Sequence, residues 1–293
     1  MSHRLAQILV VTRPNDVAAT ALGAEMAGFL SASGVRAAVC EHRPDTCPAL
    51  GTGSDRVGFG PGPGDKPDLV VVLGGDGTFI AVARGMLGLG VPFVGVNLGR
   101  VGFLAQLARD RWKPWLQAAI GNGVSVSSRL ALRYDVVRGG GVVHSGLAVN
   151  DIVVGRGVLA RLVRLGLAYG GIDVASFRAD GLIIATPTGS SAYGASAGGP
   201  LVHADLFAYC VTAVCPFLSG FKPMVLPATG ECAVRVEDAA SGITLTEDGQ
   251  ASFALETGDE VRVGRSPSDL LVVDMGPRAY FEKLKRHGFL TEK

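Results

Sequence analysis

The stretch Leu69-Val70-Val71-Val72-Leu73-Gly74-Gly75-Asp76-Gly77-Thr78 constrains this chain most. It opens on an unbroken apolar run rich in Val, which fits a strand buried on both faces. Glycines then break the run. A buried parallel strand ending in glycines presents its loop at the edge of an open α/β sheet where ligands bind. Lacking Cβ atoms, the glycines let backbone N–H groups approach an anion. One carboxylate, Asp76, sits among them. A cradled phosphate beside a single acid points to phosphoryl transfer, with Asp76 as base or metal partner. A tight turn carrying an exposed acid is the plain alternative.

The flanking sequence supplies a sheet for this strand. Ala6 to Thr12 reads as a strand. Asn15 to Leu30 has helical spacing, with Ala18, Leu22, Met26 and Leu30 recurring, Asn15 or Asp16 as cap and Gly34 beyond its end. Val35 to Cys40 reads as a second strand, which completes a βαβ opening. Arg43 to Pro67 is dominated by Gly, Pro, Ser, Asp and Thr and reads as a loop or insertion, with a lid over the glycine site as the alternative. Phe79 to Leu87 follows as a helix whose N-terminus points at whatever the glycines hold. Val91 to Val96 is a further strand, and it too runs into a glycine loop, Asn97-Leu98-Gly99-Arg100-Val101-Gly102-Phe103-Leu104. Arg109 to Ile120 reads as a helix on which Trp112 and Trp115 serve packing.

From about Ser125 the texture becomes β. Leu130 to Val137, three glycines and Val142-Val143 form a hairpin pattern. Further strands are expected at Ile152–Val154, Arg164–Tyr169, Leu182–Ala185, Cys232–Val236, Ile243–Thr246 and Glu260–Val263. Arg278 to His287 reads as a charged amphipathic helix that packs back on the first domain. The 293 residues suffice for two domains, and 48% apolar against 18% charged residues marks a globular chain. A formal charge of +1 argues against a broad nucleic-acid or anionic-membrane surface. The 5 cysteines include no Cys-x-x-Cys, so neither a disulfide scaffold nor a zinc knuckle is expected. No apolar run approaches the ~20 residues of a membrane span, and no signal-peptide pattern opens the chain. A cytoplasmic setting is the expectation.

Two later stretches carry chemistry. Asn150-Asp151 stands between two apolar β runs, as a turn or as a grip on an amide or ribose. Phe177-Arg178-Ala179-Asp180-Gly181 leads through Leu182–Ala185 into Thr186-Pro187-Thr188-Gly189-Ser190-Ser191-Ala192-Tyr193-Gly194-Ala195-Ser196-Ala197-Gly198-Gly199-Pro200. That run can offer many N–H and O–H donors to a phosphate or ribose.

Together these motifs, in this order and over nearly the whole chain, resemble bacterial NAD kinase. Gly-Gly-Asp-Gly-Thr alone is shared with lipid kinases of the diacylglycerol kinase type and with phosphofructokinase; the Thr-Pro-Thr-Gly-Ser-Ser-Ala-Tyr run is the specific part. The resemblance implies an α/β, Rossmann-like and phosphofructokinase-like N-terminal domain over residues 1–124. A β-rich NAD-binding domain over 125–274 and a tail over 275–293 returning to the first domain would follow, with the site in the crevice between the domains. It implies NAD and ATP as substrates (polyphosphate in some members), a divalent cation, Mg2+ above all, as cofactor, and a homodimer or homotetramer. Asp76 matches the family's proton acceptor, with Gly77 beside it at the NAD. Asn150 and Asp151 match the pair that holds NAD, and Arg161 falls where a basic side chain lies near the nucleotide. Arg178 and Asp180 match an Arg-x-Asp that contacts NAD. Thr188 and Ser191, Ala192, Tyr193, Gly194, Ala195 and Ser196 match the NAD-binding run, and Gln250 matches a late contact. Ser191 stands for the usual Thr, Phe217 for His and Lys222 for Arg, and the Gly/Pro segment has no counterpart. A lipid kinase and a non-catalytic NAD-binding sensor are the rival readings.

Overall fold

The computed structural model describes residues 5–43, 66–99, 102–157, 161–238 and 242–290. Most of the Gly/Pro segment, and with it the loop-or-lid expectation, lies outside the described residues. The chain packs as two units, one running to Ser128 and resuming at Leu270, the other Arg129–Asp269.

The first unit is built on parallel strands. β1 (Gln7–Thr12) is followed by α1 (Val17–Ala32), β2 (Arg36–Glu41), β3 (Leu69–Leu73), α2 (Asp76–Met86) and β4 (Phe93–Asn97). Short β5 (Leu107–Ala108), α3 (Trp112–Asn122) and β6 (Val126–Arg129) complete its first pass. β3 and β4 are buried at every position, as unbroken apolar strands between helical layers must be. Asp16 caps α1 by accepting from the Ala19 N–H at 3.0 Å. Ala19, Leu22, Met26 and Leu30 face the sheet. Trp112 is buried edge-on against Phe29, with ring centroids 5.6 Å apart, so the packing expectation for the tryptophans holds there.

The sheet order is β2-β1-β3-β4, all parallel. Chain order reverses between β1 and β3, and the C-terminal ends of two such strands flank the crevice where open α/β sheets bind ligands. Gly74 and Gly75 lie at that point.

The second unit comprises two six-stranded antiparallel sheets among the described residues. Its strands are β7 (Leu132–Arg138), β8 (Gly141–Ala148), β9 (Asp151–Arg156), β10 (Val163–Tyr169), β11 (Ile172–Ala179) and β12 (Gly181–Ala185). A four-residue helix, α4 (Tyr193–Ser196), precedes β13 (Ala208–Val214), β14 (Met224–Pro227), β15 (Cys232–Asp238), β16 (Ile243–Glu247), β17 (Ala251–Leu255) and β18 (Glu260–Arg265). One sheet runs β11-β10-β15-β18-β7-β8, the other β14-β13-β12-β9-β16-β17. Alternate residues of both, such as Val136, Leu165 and Val263 from one and Val154, Ile184 and Leu245 from the other, fill a single core. Gly139 and Gly140, at φ 58° and 84°, make the tight β7–β8 turn that L side chains resist.

The chain then returns to the first sheet. β19 (Leu270–Val273) pairs parallel with β4, and α5 (Pro277–Arg286) closes the described fold. No helix among the described residues is long and apolar enough to cross a membrane.

Candidate active site

The glycine stretch departs from the expected loop. α2 begins at Asp76, not at Phe79, with Gly75 as its N-cap. Asp76, Gly77 and Thr78 therefore form the first helical turn, whose N–H groups lack intrahelical acceptors. Gly74 is required here, because a Cβ would lie 2.7 Å from Thr78 Oγ1.

The Asp76 carboxylate is caged by the second glycine loop. Oδ2 accepts from the Phe103 N–H at 2.8 Å, and Oδ1 accepts from the N–H groups of Leu104 at 3.0 Å and Ala105 at 2.8 Å. A Cβ on Gly102 would overlap the carboxylate itself. Gly95 lets Ala105 close in, since a Cβ there would stand 2.6 Å from Ala105 Cα. Asn97 Oδ1 accepts from the Gly99 N–H at 2.8 Å and shapes the loop's start. The two strand-to-glycine junctions thus form one cradle, with Asp76 at its centre.

The second unit builds a corner from three segments. Asn150 precedes β9, and Asp151 is its first residue. Thr186, directly after β12, donates its hydroxyl to Val149 O at 2.7 Å and its N–H to Asn150 O at 2.8 Å. Gly189 lies so close that a Cβ would strike the Asn150 backbone. The third segment is the β16–β17 hairpin tip, where Asp248 turns its carboxylate back into the corner. That carboxylate accepts from the N–H groups of Val149 at 3.0 Å, Asn150 at 2.7 Å and Asp151 at 3.1 Å. The Asp248 N–H returns a bond to Asp151 O at 2.9 Å.

Two side-chain atoms of this region, Asn150 Oδ1 and Thr188 Oγ1, are buried without a hydrogen-bond partner. An unsatisfied buried polar atom costs about 1–3 kcal/mol, and a ligand that supplies the partner recovers it. Asp151 is buried, and burial, then the charge of Asp248, pushes its carboxyl up to about 7. Near neutral pH it is poised between proton donor and acceptor.

The Thr/Ser-rich run is compact. Gly189–Ser191 is a single 3-10 turn and α4 follows at once. Ser191 donates to Thr188 O at 3.3 Å, and the Ala192 N–H bonds Gly189 O at 2.9 Å. Gly194 is buried, with its carbonyl accepting from the Gly199 N–H at 2.8 Å, and Ala195 O accepts from Gly198 at 3.0 Å. Tyr193 and Ser196 reach solvent. Asp180 pairs with Arg156 at 2.7 Å, a partner that no motif marks. Asp180, Arg156, Tyr193, Thr244 and Thr246 line one pocket of about 360 Å3.

Other expected residues stand apart. Arg178 is exposed on β11, its carbonyl accepting from the Phe217 N–H at 2.8 Å. Arg161 is exposed next to undescribed residues 158–160. Gln250 is exposed on the same hairpin tip as Asp248, where its N–H bonds Glu247 O at 2.9 Å. Asp248 itself is the residue that sequence reasoning passed over. Its signal was the Asp-Gly of a hairpin turn, confirmed by φ of 51° and 63° at Asp248 and Gly249, and a turn explains an aspartate without assigning its carboxylate.

A caged carboxylate at a helix N-terminus, set at the switch point of an open α/β sheet, has the parts of a phosphotransferase. Known proteins narrow that class. The family model of the ATP-NAD kinase N-terminal domain matches residues 3–121, and that of the ATP-NAD kinase C-terminal domain matches 149–275. The NAD kinase of Nitratidesulfovibrio vulgaris strain Miyazaki F is 44% identical over 293 residues, the whole of both chains. That of Oleidesulfovibrio alaskensis is 41% identical over 292 residues, covering 100% of this chain and 96% of its own. The chain belongs to the NAD kinase family, whose members are phosphotransferases. Among solved structures, yeast NADH kinase complexed with NADH superposes with a TM-score of 0.82 at 23% identity, covering 99% of this chain and 89% of that one. An NAD kinase from Archaeoglobus fulgidus in complex with ATP gives 0.72 at 23%, covering 95% and 98%. At such identity the likeness is one of fold.

Proposed function

We propose that this chain transfers a phosphoryl group from ATP to the 2′-hydroxyl of the adenosine ribose of NAD, giving NADP and ADP, with Asp76 as proton acceptor. The observation that carries the assignment is the Asp76 cradle. A carboxylate offers about four lone-pair directions. Two on Oδ1 and one on Oδ2 are taken by the three loop N–H groups. Among the described residues, Oδ2 keeps a direction for a hydroxyl, so Oδ2 is the atom assigned to the ribose. Phosphoryl transfer passes through a loose transition state, so holding nucleophile and donor in line matters more than covalent help.

Asn150 Oδ1 and Thr188 Oγ1, buried and unpartnered, are the polar contacts assigned to the dinucleotide. Asp151, held near neutrality, can give a hydrogen bond to a ligand oxygen or accept one from a ribose hydroxyl. Gly77, Arg161, Arg178, Asp180, Ser191 to Ser196 and Gln250 are proposed as outer contacts. Among the described residues no three His, Cys, Asp or Glu side chains converge as metal ligands. That suits Mg2+ carried on the donor phosphates and their waters rather than in a protein cage. Bound so, it neutralises phosphate charge. Polyphosphate offers the same anhydride chemistry and is proposed as a second donor. Phe217 and Leu218, 54% and 92% exposed, support self-association into a homodimer or homotetramer.

Initial rates with NAD and NADH, each with ATP and with polyphosphate, test this reading. NADP formed from NAD and ATP is the expected result. Binding of NAD without product under any donor overturns it.

A further inference from the structure

We propose that the C-terminal helix α5 and the turn after it are a positioning element for Asp76, with Lys283 and His287 as the positioning residues. The inference rests on the reading of Asp76 as proton acceptor. The Asp76 cage is made of backbone N–H groups on a loop, and a loop holds a carboxylate only as firmly as the loop itself is held. The tail grips that loop at Phe103.

Phe103 is held by three groups of the tail. Lys283 Nζ donates to Phe103 O at 3.0 Å. The His287 ring stacks on the Phe103 ring, centroids 4.4 Å apart and planes 28° from parallel. Phe289 meets the same ring edge-on at 5.8 Å. The Phe103 peptide is thereby fixed on both sides, its carbonyl by the tail and its N–H by Asp76 Oδ2.

The tail is shaped for this grip. Leu284 anchors α5 by burial. Gly288, at φ 77°, reverses the chain after His287, and the Phe289 N–H bonds back to Leu284 O at 2.9 Å, which returns Phe289 to the Phe103 ring. His287 Nε2 is buried without a partner. A buried polar nitrogen without a partner is costly, and its ring is stacked on the loop that holds the acid.

The test compares Lys283→Met, Lys283→Arg, His287→Ala and Asp76→Asn in the full-length chain, reading kcat, both KM values and Tm. A misplacement of about 1 Å costs up to ~10²-fold in rate. Lys283→Met and His287→Ala are therefore expected to lower kcat about tenfold with KM for NAD and ATP unchanged. Lys283→Arg, which keeps a donor, restores most of that loss. In the Asp76→Asn background the Lys283→Met change adds nothing further, since the tail acts through that carboxylate. Wild-type kcat in Lys283→Met and His287→Ala, beside an Asp76→Asn variant that has lost activity, overturns the positioning role alone. So does an equal loss in Lys283→Met and Lys283→Arg that tracks Tm, which is the signature of packing. Asp76→Asn with wild-type turnover overturns instead the reading on which the inference rests.

Discussion

Asp76 gains its role from its neighbours' backbone more than from its own surroundings of charge. Three N–H groups converge on it, and the residue that permits their approach is Gly102, where any Cβ would overlap the carboxylate. Gly102→Ala must push the loop off Asp76. The expected outcome is a loss of at least tenfold in kcat with Tm lowered by only a few degrees, measured by NADP-coupled rates beside thermal melts. Asp151 supplies a second prediction at this scale. Its folded-state pKa of about 7 lies above the ordinary 3.8, so the folded protein holds an extra proton between those values. Stability from this group is complete below the ordinary value and is lost as pH rises through the folded one. Tm is expected to fall as pH rises from about 4 to about 7 and to level off above that, and Asp151→Asn to flatten that slope. An unchanged slope in the variant means that another group titrates.

At the scale of elements, the β16–β17 hairpin reads as a bracket for the Asn150–Asp151 corner. Its type I′-like tip, with Asp248 and Gly249 both left-handed, points the Asp248 carboxylate at three successive N–H groups. Asp248→Ala leaves those donors without an acceptor in a half-buried corner. A loss of about 2–3 kcal/mol in unfolding free energy is expected, from the ~1–3 kcal/mol cost of each unsatisfied group. KM for NAD should rise in parallel; a stable variant with an unaltered KM would show that the bracket is decorative. The elements differed in how plainly the sequence showed them. β3, β4 and α1 were legible because burial writes an unbroken or four-residue pattern. β11 and β17 are less legible because they are half-exposed: Ile172, Asp173 and Val174 all face water, and the alternation that follows is short, at Ala175, Phe177 and Ala179. β19 was hidden differently: its apolar run Leu270–Val273 follows a β-rich stretch, and only pairing with β4 places it in the first sheet. The motif around Asp76 was legible as chemistry, while its geometry was not. Nothing local says that Phe103, 27 positions later, donates to it.

Across the whole molecule, each unit closes its own core. The first provides a switch point between β1 and β3, a helix N-terminus and the caged acid. Its last segments come from the end of the chain, so the α5 grip on Phe103 exists only once Leu270 onward has returned to the first sheet. The second provides the Asn150–Asp151 corner, where Asn150 Oδ1 is buried without a hydrogen-bond partner. The most direct measurement is the rate of NADP formation from NAD and ATP with Mg2+, comparing the wild-type chain with Asp76→Asn. The Asn amide also faces one loop N–H, so Tm is read alongside. NADP production by the wild type and a fall of ~10²-fold or more in the variant, the range of general-base help, is the predicted result. A variant that turns over at the wild-type rate, or a wild type that makes no NADP, would contradict the account.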